Sequence, residues 1–343
     1  MTDAPARRAL NARATPAATM LAAVQDSYGE AAVLRVERVA RPEIGDDDVL
    51  VRVEAAGVDQ GVWHLMTGLP YPIRISGYGL RAPKTRVRGG DLAGRVAATG
   101  KDVTAFQVGD EVYGFGQGTF AEFAVATPAK LARKPSTLTF EQAAATPVSG
   151  LTALQAVRRG RVAKGQQVLV LGASGGVGSF AVQIARAAGA VVTGVASSAK
   201  LDLVRALGAD HVLDYTRDDL TDRSGAYDVI LDVGGNRTLT ALRRLLAPRG
   251  TLVITGGEGG GRWLGGTDRQ LRAMALSPFL RQRLGTFVAR ENAADLDGLT
   301  ALIESGQVTP ALDRSYPLAA APDAIRDLRA GRIRGKAVVL PSS

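Results

Sequence analysis

The chain has 343 residues, 42 Lys and Arg against 33 Asp and Glu, a net charge of +9, two histidines and no cysteine. That length suits about two domains with a sizeable core, and 46% hydrophobic with 22% charged residues excludes wholesale disorder. Lack of cysteine excludes disulfides, iron–sulfur clusters, thiolate-bound zinc and a catalytic thiol, while His64 and His211 form no ligand motif, so no metal is expected.

The positive charge is local. Residues 1–20 carry Arg7, Arg8 and Arg13 against Asp3. Segment 68–90 carries Arg74, Arg81, Lys84, Arg86 and Arg88 with no acid, and segment 262–290 carries six arginines against Asp268. Such patches favour anionic ligands, either nucleic acid or a phosphorylated cofactor. The start is rich in Ala, Arg, Thr and Pro and has no apolar core, so residues 1–19 read as a disordered extension with folding from about Met20. No apolar run reaches about 18 residues, and a cytoplasmic protein is expected.

From Leu21 to Val125 the chain reads as short strands between turn signals. Val49, Val51, Val53 and Ala55 alternate with Leu50, Arg52 and Glu54, the period of a half-buried strand. Leu92–Ala98, Glu111–Phe115 and Phe120–Ala126 are further strands, together a small barrel or sandwich. Thr139-x-x-Gln142 reads as a capping box opening a helix that Pro147 ends, followed by a helix from Ser149 to Arg159.

Strands then alternate with helices: Val168–Leu171, helix Gly176–Ala188, Val191–Ala196, helix Ala199–Leu207, Val212–Tyr215, Val229–Val233, helix Arg237–Leu246 and Leu252–Thr255. The expected fold class is therefore α/β, a doubly wound parallel sheet joined to a β-rich unit. Beyond it come a Gly-rich, basic stretch with a helix at 268–276, a strand at Phe287–Ala289, helices at Ala294–Ser305 and Pro322–Ala330, and a last strand Ala337–Leu340 that returns to the first unit.

Gly172-Ala173-Ser174-Gly175-Gly176-Val177-Gly178 follows an apolar strand and opens an apolar-periodic helix. Glycine there admits a pyrophosphate to the backbone, and the helix N-terminus offers unpaired N–H groups and a positive dipole end. An enzyme using NAD places an Asp or Glu at the end of the second strand to hold the ribose. Here Ser197-Ser198-Ala199-Lys200 stands in that place. Two hydroxyls and an ammonium suit a 2′-phosphate, which points to NADPH. Tyr215, ending the third strand, is placed to pack near it. None of the seven tyrosines has Lys four residues later, and no Gly-x-Ser-x-Gly sits on a strand-to-helix turn, so short-chain dehydrogenase and serine-hydrolase chemistry are excluded.

The Gly-rich loop, Gly90-Asp91-Leu92-Ala93-Gly94 with Thr99-Gly100, Val108-Gly109-Asp110-Glu111-Val112-Tyr113, Gly150-Leu151-Thr152-Ala153 and Gly335-Lys336-Ala337-Val338-Val339 together resemble the medium-chain dehydrogenase/reductase superfamily. They resemble above all its zinc-free, quinone-oxidoreductase-like branch, over Met20 to Leu340. The resemblance implies a GroES-like catalytic domain beside a Rossmann domain. The expected division is 1–19 extension, 20–147 catalytic, 148–290 dinucleotide-binding, and 291–343 partly returning to the catalytic part. It also implies a homodimer through the edge strand of the Rossmann sheet, which Thr286–Ala289 resembles.

Asp59 and Gly90 stand where the zinc branch carries a metal-binding Cys and His. By the same resemblance Asp59, Thr152, Gly175, Gly176, Val177, Ser197, Lys200 and Tyr215 are cofactor contacts. Gly68-Leu69-Pro70-Tyr71-Pro72 resembles, with one inserted residue, a segment of enoyl-thioester reductases whose tyrosine donates a proton, making Tyr71 the catalytic candidate; His64 reads as structural. Loops 68–88 and 258–285, with Tyr71, Tyr78 and Trp263, are expected to shape the substrate site. The reading is NADPH-dependent, zinc-independent reduction of a quinone or α,β-unsaturated carbonyl. An enoyl-thioester reductase is the alternative enzyme, and a nucleic-acid-binding protein that kept the cofactor fold is the alternative of another class.

Overall fold

A computed structural model describes residues 18–220, 223–235, 237–257 and 261–342. The expected extension thus lies outside the described residues up to residue 17, as does 258–260 of the second loop. Strands β1 (Thr19–Val24) and β2 (Arg35–Ala40) form an antiparallel pair that alternation in the sequence does not single out.

Next come β3 (Val49–Val58), helix α1 (Gln60–Thr67), β4 (Asp91–Thr99), β5 (Glu111–Phe115), β6 (Phe123–Ala126) and β7 (Leu131–Arg133). Phe120 and Ala121, expected inside β6, are buried ahead of it, and Ala121 makes only an isolated bridge to Ala22. Helix α2 (Phe140–Ala144) opens on the expected capping box of Thr139 and Gln142. Pro147 does not close that helix. It starts α3 (Pro147–Gly160), at a position whose N–H has no helical partner in any case.

The alternating part follows as β8 (Gln167–Leu171), α4 (Gly176–Ala187), β9 (Val191–Ala196), α5 (Leu201–Ala206), β10 (His211–Asp214), β11 (Tyr227–Asp232), α6 (Leu239–Leu245) and β12 (Leu246–Ile254). Helices α7 (Gly261–Leu264) and α8 (Thr267–Leu276) lead to β13 (Arg283–Thr286). The order β10-β9-β8-β11-β12-β13, parallel throughout, is the doubly wound arrangement. Val168, Leu169 and Val170 of the central β8 are fully buried, each contributing about 1.5–3 kcal/mol over an exposed position.

The expected strand at Phe287–Ala289 is corrected: the edge strand is Arg283–Thr286, and Val288 is 90% exposed. An edge strand needs only enough burial to hold one face, and Leu284 supplies it while registering against Leu252.

The chain ends with α9 (Ala293–Glu304), β14 (Leu312–Pro317), α10 (Ala321–Arg329) and β15 (Lys336–Leu340). In the second large sheet, β14-β15-β3-β4-β5-β7, the last strand pairs antiparallel with β3, Ala337 opposite Val58. A second tie joins the lobes where the buried Tyr113 hydroxyl of β5 donates to the Leu296 carbonyl of α9 at 2.8 Å.

Candidate active site

The sheet order reverses between β8 and β11, and there the C-terminal strand ends open a crevice. It widens into a cleft of about 1130 Å³ running from Asp59 to Tyr215, ample for a ligand larger than a drug-sized molecule. The Gly-rich loop forms its floor. Gly172 takes the left-handed φ of 78° that turns the chain out of β8. A Cβ on Gly178 would lie 2.0 Å from the Gly172 carbonyl oxygen, so only glycine lets α4 start this close to the strand. No side chain caps α4 at Gly175, which leaves its first amides available to a ligand.

The C-terminal segment closes over this loop. Gly335 N–H donates to the Ser174 carbonyl at 2.8 Å, and Lys336 runs beneath Gly176, where a Cβ would meet the Ser149 hydroxyl at 2.8 Å and the Lys336 chain at 2.9 Å. The Lys336 ammonium is buried in the cleft wall without a hydrogen-bond partner, 3.8 Å from the Asp91 carboxylate. Asp91 accepts from Val148 N–H at 3.2 Å, at the start of α3. Burial pushes the Asp91 carboxyl well above the usual carboxylate range, against the pull of Lys336 and with a further push from Asp59.

At the far end, Ser197, Lys200 and Tyr215 line the cleft together, as the sequence places them, and Tyr215 is exposed. Ser198 does not join them as a free hydroxyl: it donates to the carboxylate of Asp214, which that bond and the Thr216 hydroxyl hold below its ordinary value. Lys200 is half engaged. Its ammonium donates to the Gly331 and Ile333 carbonyls at 2.7 Å each, leaving one of three N–H bonds for a ligand. Partial burial pulls its pKa down, opposed by Asp313 and aided by Arg334.

Near the other end, Asp59 lines the cleft and also caps α1, accepting from Val62 N–H at 3.0 Å. Thr152 lines it too, but its hydroxyl bonds back to the Val148 carbonyl at 2.7 Å. His64 donates from Nδ1 to the Leu69 carbonyl at 2.7 Å, a structural bond, while its ring faces the cleft. Tyr71 packs edge-on against Trp263, ring centroids 5.1 Å apart, and it is its neighbours Pro70 and Ile73 that line the cleft.

One partnership was missed altogether. Arg269, counted with the basic stretch as charge for a ligand, meets the buried Asp232 of β11 at 2.6 Å. It also donates to the Arg237 and Gly256 carbonyls, at 2.8 and 3.1 Å, so it pins α8 to the crevice. Burial raises the Asp232 pKa and Arg269 opposes that rise. The clue available in sequence was the acid closing an otherwise apolar strand, Val229–Asp232, which needs a cation.

Comparison with known proteins gives the same frame. Residues 45–136 match the family model of the alcohol dehydrogenase GroES-like domain and 207–339 that of zinc-binding dehydrogenase. "NAD(P)H oxidoreductase RTN4IP1, mitochondrial" of Mus musculus is 33% identical, covering 98% of this chain and 92% of its own length. "NADPH-dependent alkenal/one oxidoreductase, chloroplastic" of Arabidopsis thaliana is also 33% identical, over 94% of this chain and 80% of its own. The quinone oxidoreductase from Coxiella burnetii superposes with a TM-score of 0.83 at 27% identity, covering 94% of this chain and 99% of that one. Sheet order, glycine loop and relatives agree: the chain belongs to the medium-chain dehydrogenase/reductase superfamily, as an oxidoreductase of its quinone-oxidoreductase-like branch.

Proposed function

We propose that the protein reduces quinones or α,β-unsaturated carbonyls with NADPH and without zinc. The observation that carries this reading is the uncapped N-terminus of α4 over a glycine floor, with Ser197 and Lys200, and no acid, at the end of β9. These residues fit a phosphorylated dinucleotide: a loop that closes only with glycine at 178, a helix end free of side-chain caps, and a buried ammonium at Lys336 without an acceptor. When bound, the cofactor supplies hydride from its nicotinamide.

The chain's own residues bind, orient and exclude water. The α4 amides hold the pyrophosphate, Lys200 and Ser197 the 2′-phosphate, Tyr215 packs over that end, Thr152, Gly175, Gly176 and Val177 shape the cleft between, and Asp59 lines its opposite end. The relatives named for quinone and alkenal/one reduction support this acceptor class. The test is a panel of quinones, alkenals and enoyl thioesters followed by NADPH absorbance, before and after prolonged chelation. Turnover of quinones or enones that survives chelation is expected, and turnover that zinc restores after its loss would overturn the metal-free reading.

For enoyl thioesters, Tyr71 is the proposed proton donor, a role that requires its ring to leave Trp263 and turn into the cleft beside Pro70 and Ile73. Tyr71→Phe should then lower kcat about 10²–10⁴-fold with cofactor affinity nearly unchanged; an unaltered kcat would leave water as the donor. The open edge of β13 also supports a homodimer through the Rossmann sheet, to be checked by sedimentation velocity.

A further inference from the structure

Two segments distant in sequence form one surface beside the cleft mouth. Tyr71 N–H donates to the Arg262 carbonyl at 2.8 Å, its ring meets Trp263, and a Cβ on Gly265 would lie 2.7 Å from Pro70. Pro70 and Ile73 from one segment, and Gly265, Thr267 and Gln270 from the other, line the cleft.

On these two segments large apolar side chains stand in solvent: Ile75 is 75% exposed, Leu80 69% and Trp263 72%. Among the described residues, the exposed charged side chains of the two segments are basic. Arg81, Lys84 and Arg262 are exposed, segment 68–90 contains no acid, and Asp268 is engaged by Arg272 at 3.3 Å. Single exposed apolar residues are ordinary, but protruding aromatic and aliphatic tips interspersed with cations that have no ion-pair partner among the described residues are the composition of a surface that lies in an anionic lipid interface. A second copy placed two-fold on the same face would set cation against cation.

We propose that this face docks on an anionic lipid bilayer, with the cleft mouth beside the contact. Resting on the proposed function, this gives apolar quinones or enones a route from the lipid phase into the cleft.

The experiment uses the full chain carrying Trp63→Phe, which leaves Trp263 as the sole tryptophan, and unilamellar vesicles of phosphatidylcholine with or without phosphatidylglycerol. No cofactor or acceptor is added. Co-sedimentation with the anionic vesicles alone, with a blue shift of Trp263 emission, is the expected result. Lys84→Ala should weaken that binding about 5-fold, the equivalent of ~1 kcal/mol for one interfacial charge. Ile75→Ser with Leu80→Ser should weaken it at least about tenfold, while turnover of a water-soluble quinone stays unchanged.

Absence of sedimentation with anionic vesicles, or equal binding to phosphatidylcholine alone, would overturn the proposal. So would a blue shift that follows protein concentration without vesicles, which would mark a self-interface, or loss of all vesicle binding when an acidic protein competes at physiological salt. Vesicle binding by a protein that reduces no quinone or enone would sustain the docking and remove the functional reading instead.

Discussion

The ammonium of Lys336 lies 3.8 Å from the Asp91 carboxylate, both fully enclosed, one on the last strand and the other at the start of β4. The pair joins chain regions far apart in sequence directly beneath the phosphate loop. Its members have few other partners: Asp91 keeps the Val148 amide, and Lys336 keeps none.

Removing one member of a buried pair strands the other charge. Lys336→Met should cost about 3–5 kcal/mol in urea unfolding, and Asp91→Asn a comparable amount, whereas the double variant should recover part of the loss. Strict additivity of the two single variants would show that the charges do not interact.

Gly178 is the second test. With the added Cβ at 2.0 Å from a backbone oxygen, Gly178→Ala forces α4 away from β8. Overpacking of this kind costs about 1–3 kcal/mol. Dinucleotide binding, followed by NADPH fluorescence, should fall well beyond what that stability loss explains, because the helix end itself is displaced. Retained affinity would place the pyrophosphate elsewhere.

Lys200 separates the two nicotinamide cofactors. A charge-assisted contact to the 2′-phosphate is worth about 1.5–3 kcal/mol, so Lys200→Ala should weaken NADPH roughly 10- to 100-fold and leave NADH nearly unaffected. Ser197→Asp should go further by adding repulsion against the phosphate and an acceptor for the NADH ribose. The measurement is kcat/KM for both cofactors with one acceptor. Equal losses for NADPH and NADH would mean that Lys200 acts only by tying down Gly331 and Ile333.

Asp214 gives a pH test. Ser198 and Thr216 lower its folded-state pKa below 3.8, so its ionised form stabilises the fold above that value, and this stabilisation is lost as pH falls through the folded pKa. Ser198→Ala should therefore reduce stability at neutral pH, with the gap to wild type closing in strong acid. A gap independent of pH would point to packing rather than to the carboxylate.

The β8–loop–α4 unit was fully legible in the sequence, because an apolar strand, glycine spacing and helical periodicity all agree there. Helix α1 was not: it has eight residues, with Gly61 near its start, and its signal was the N-cap Asp59, a residue read only as a cofactor contact. The edge strand was misplaced because Phe287-Val288-Ala289 is the more apolar stretch, while pairing with β12 selects Arg283–Thr286. Ser198 and Arg269 were assigned to ligands because their partners, Asp214 and Asp232, are distant in sequence and are brought to them only by the parallel sheet. Side chains that face a cofactor and side chains that hold the walls look alike until the walls exist.

The insertion of β15 beside β3 also has a bearing on synthesis. Val58 leaves the ribosome long before its partner Ala337. At about 5–20 residues per second the interval is on the order of tens of seconds. Throughout it the Ala56–Val58 end of β3 lacks its neighbour, and Asp59 just beyond has no opposing Lys336 wall. A nascent chain therefore carries a complete glycine loop well before it has a complete cleft, and the binding site closes only with the last strand.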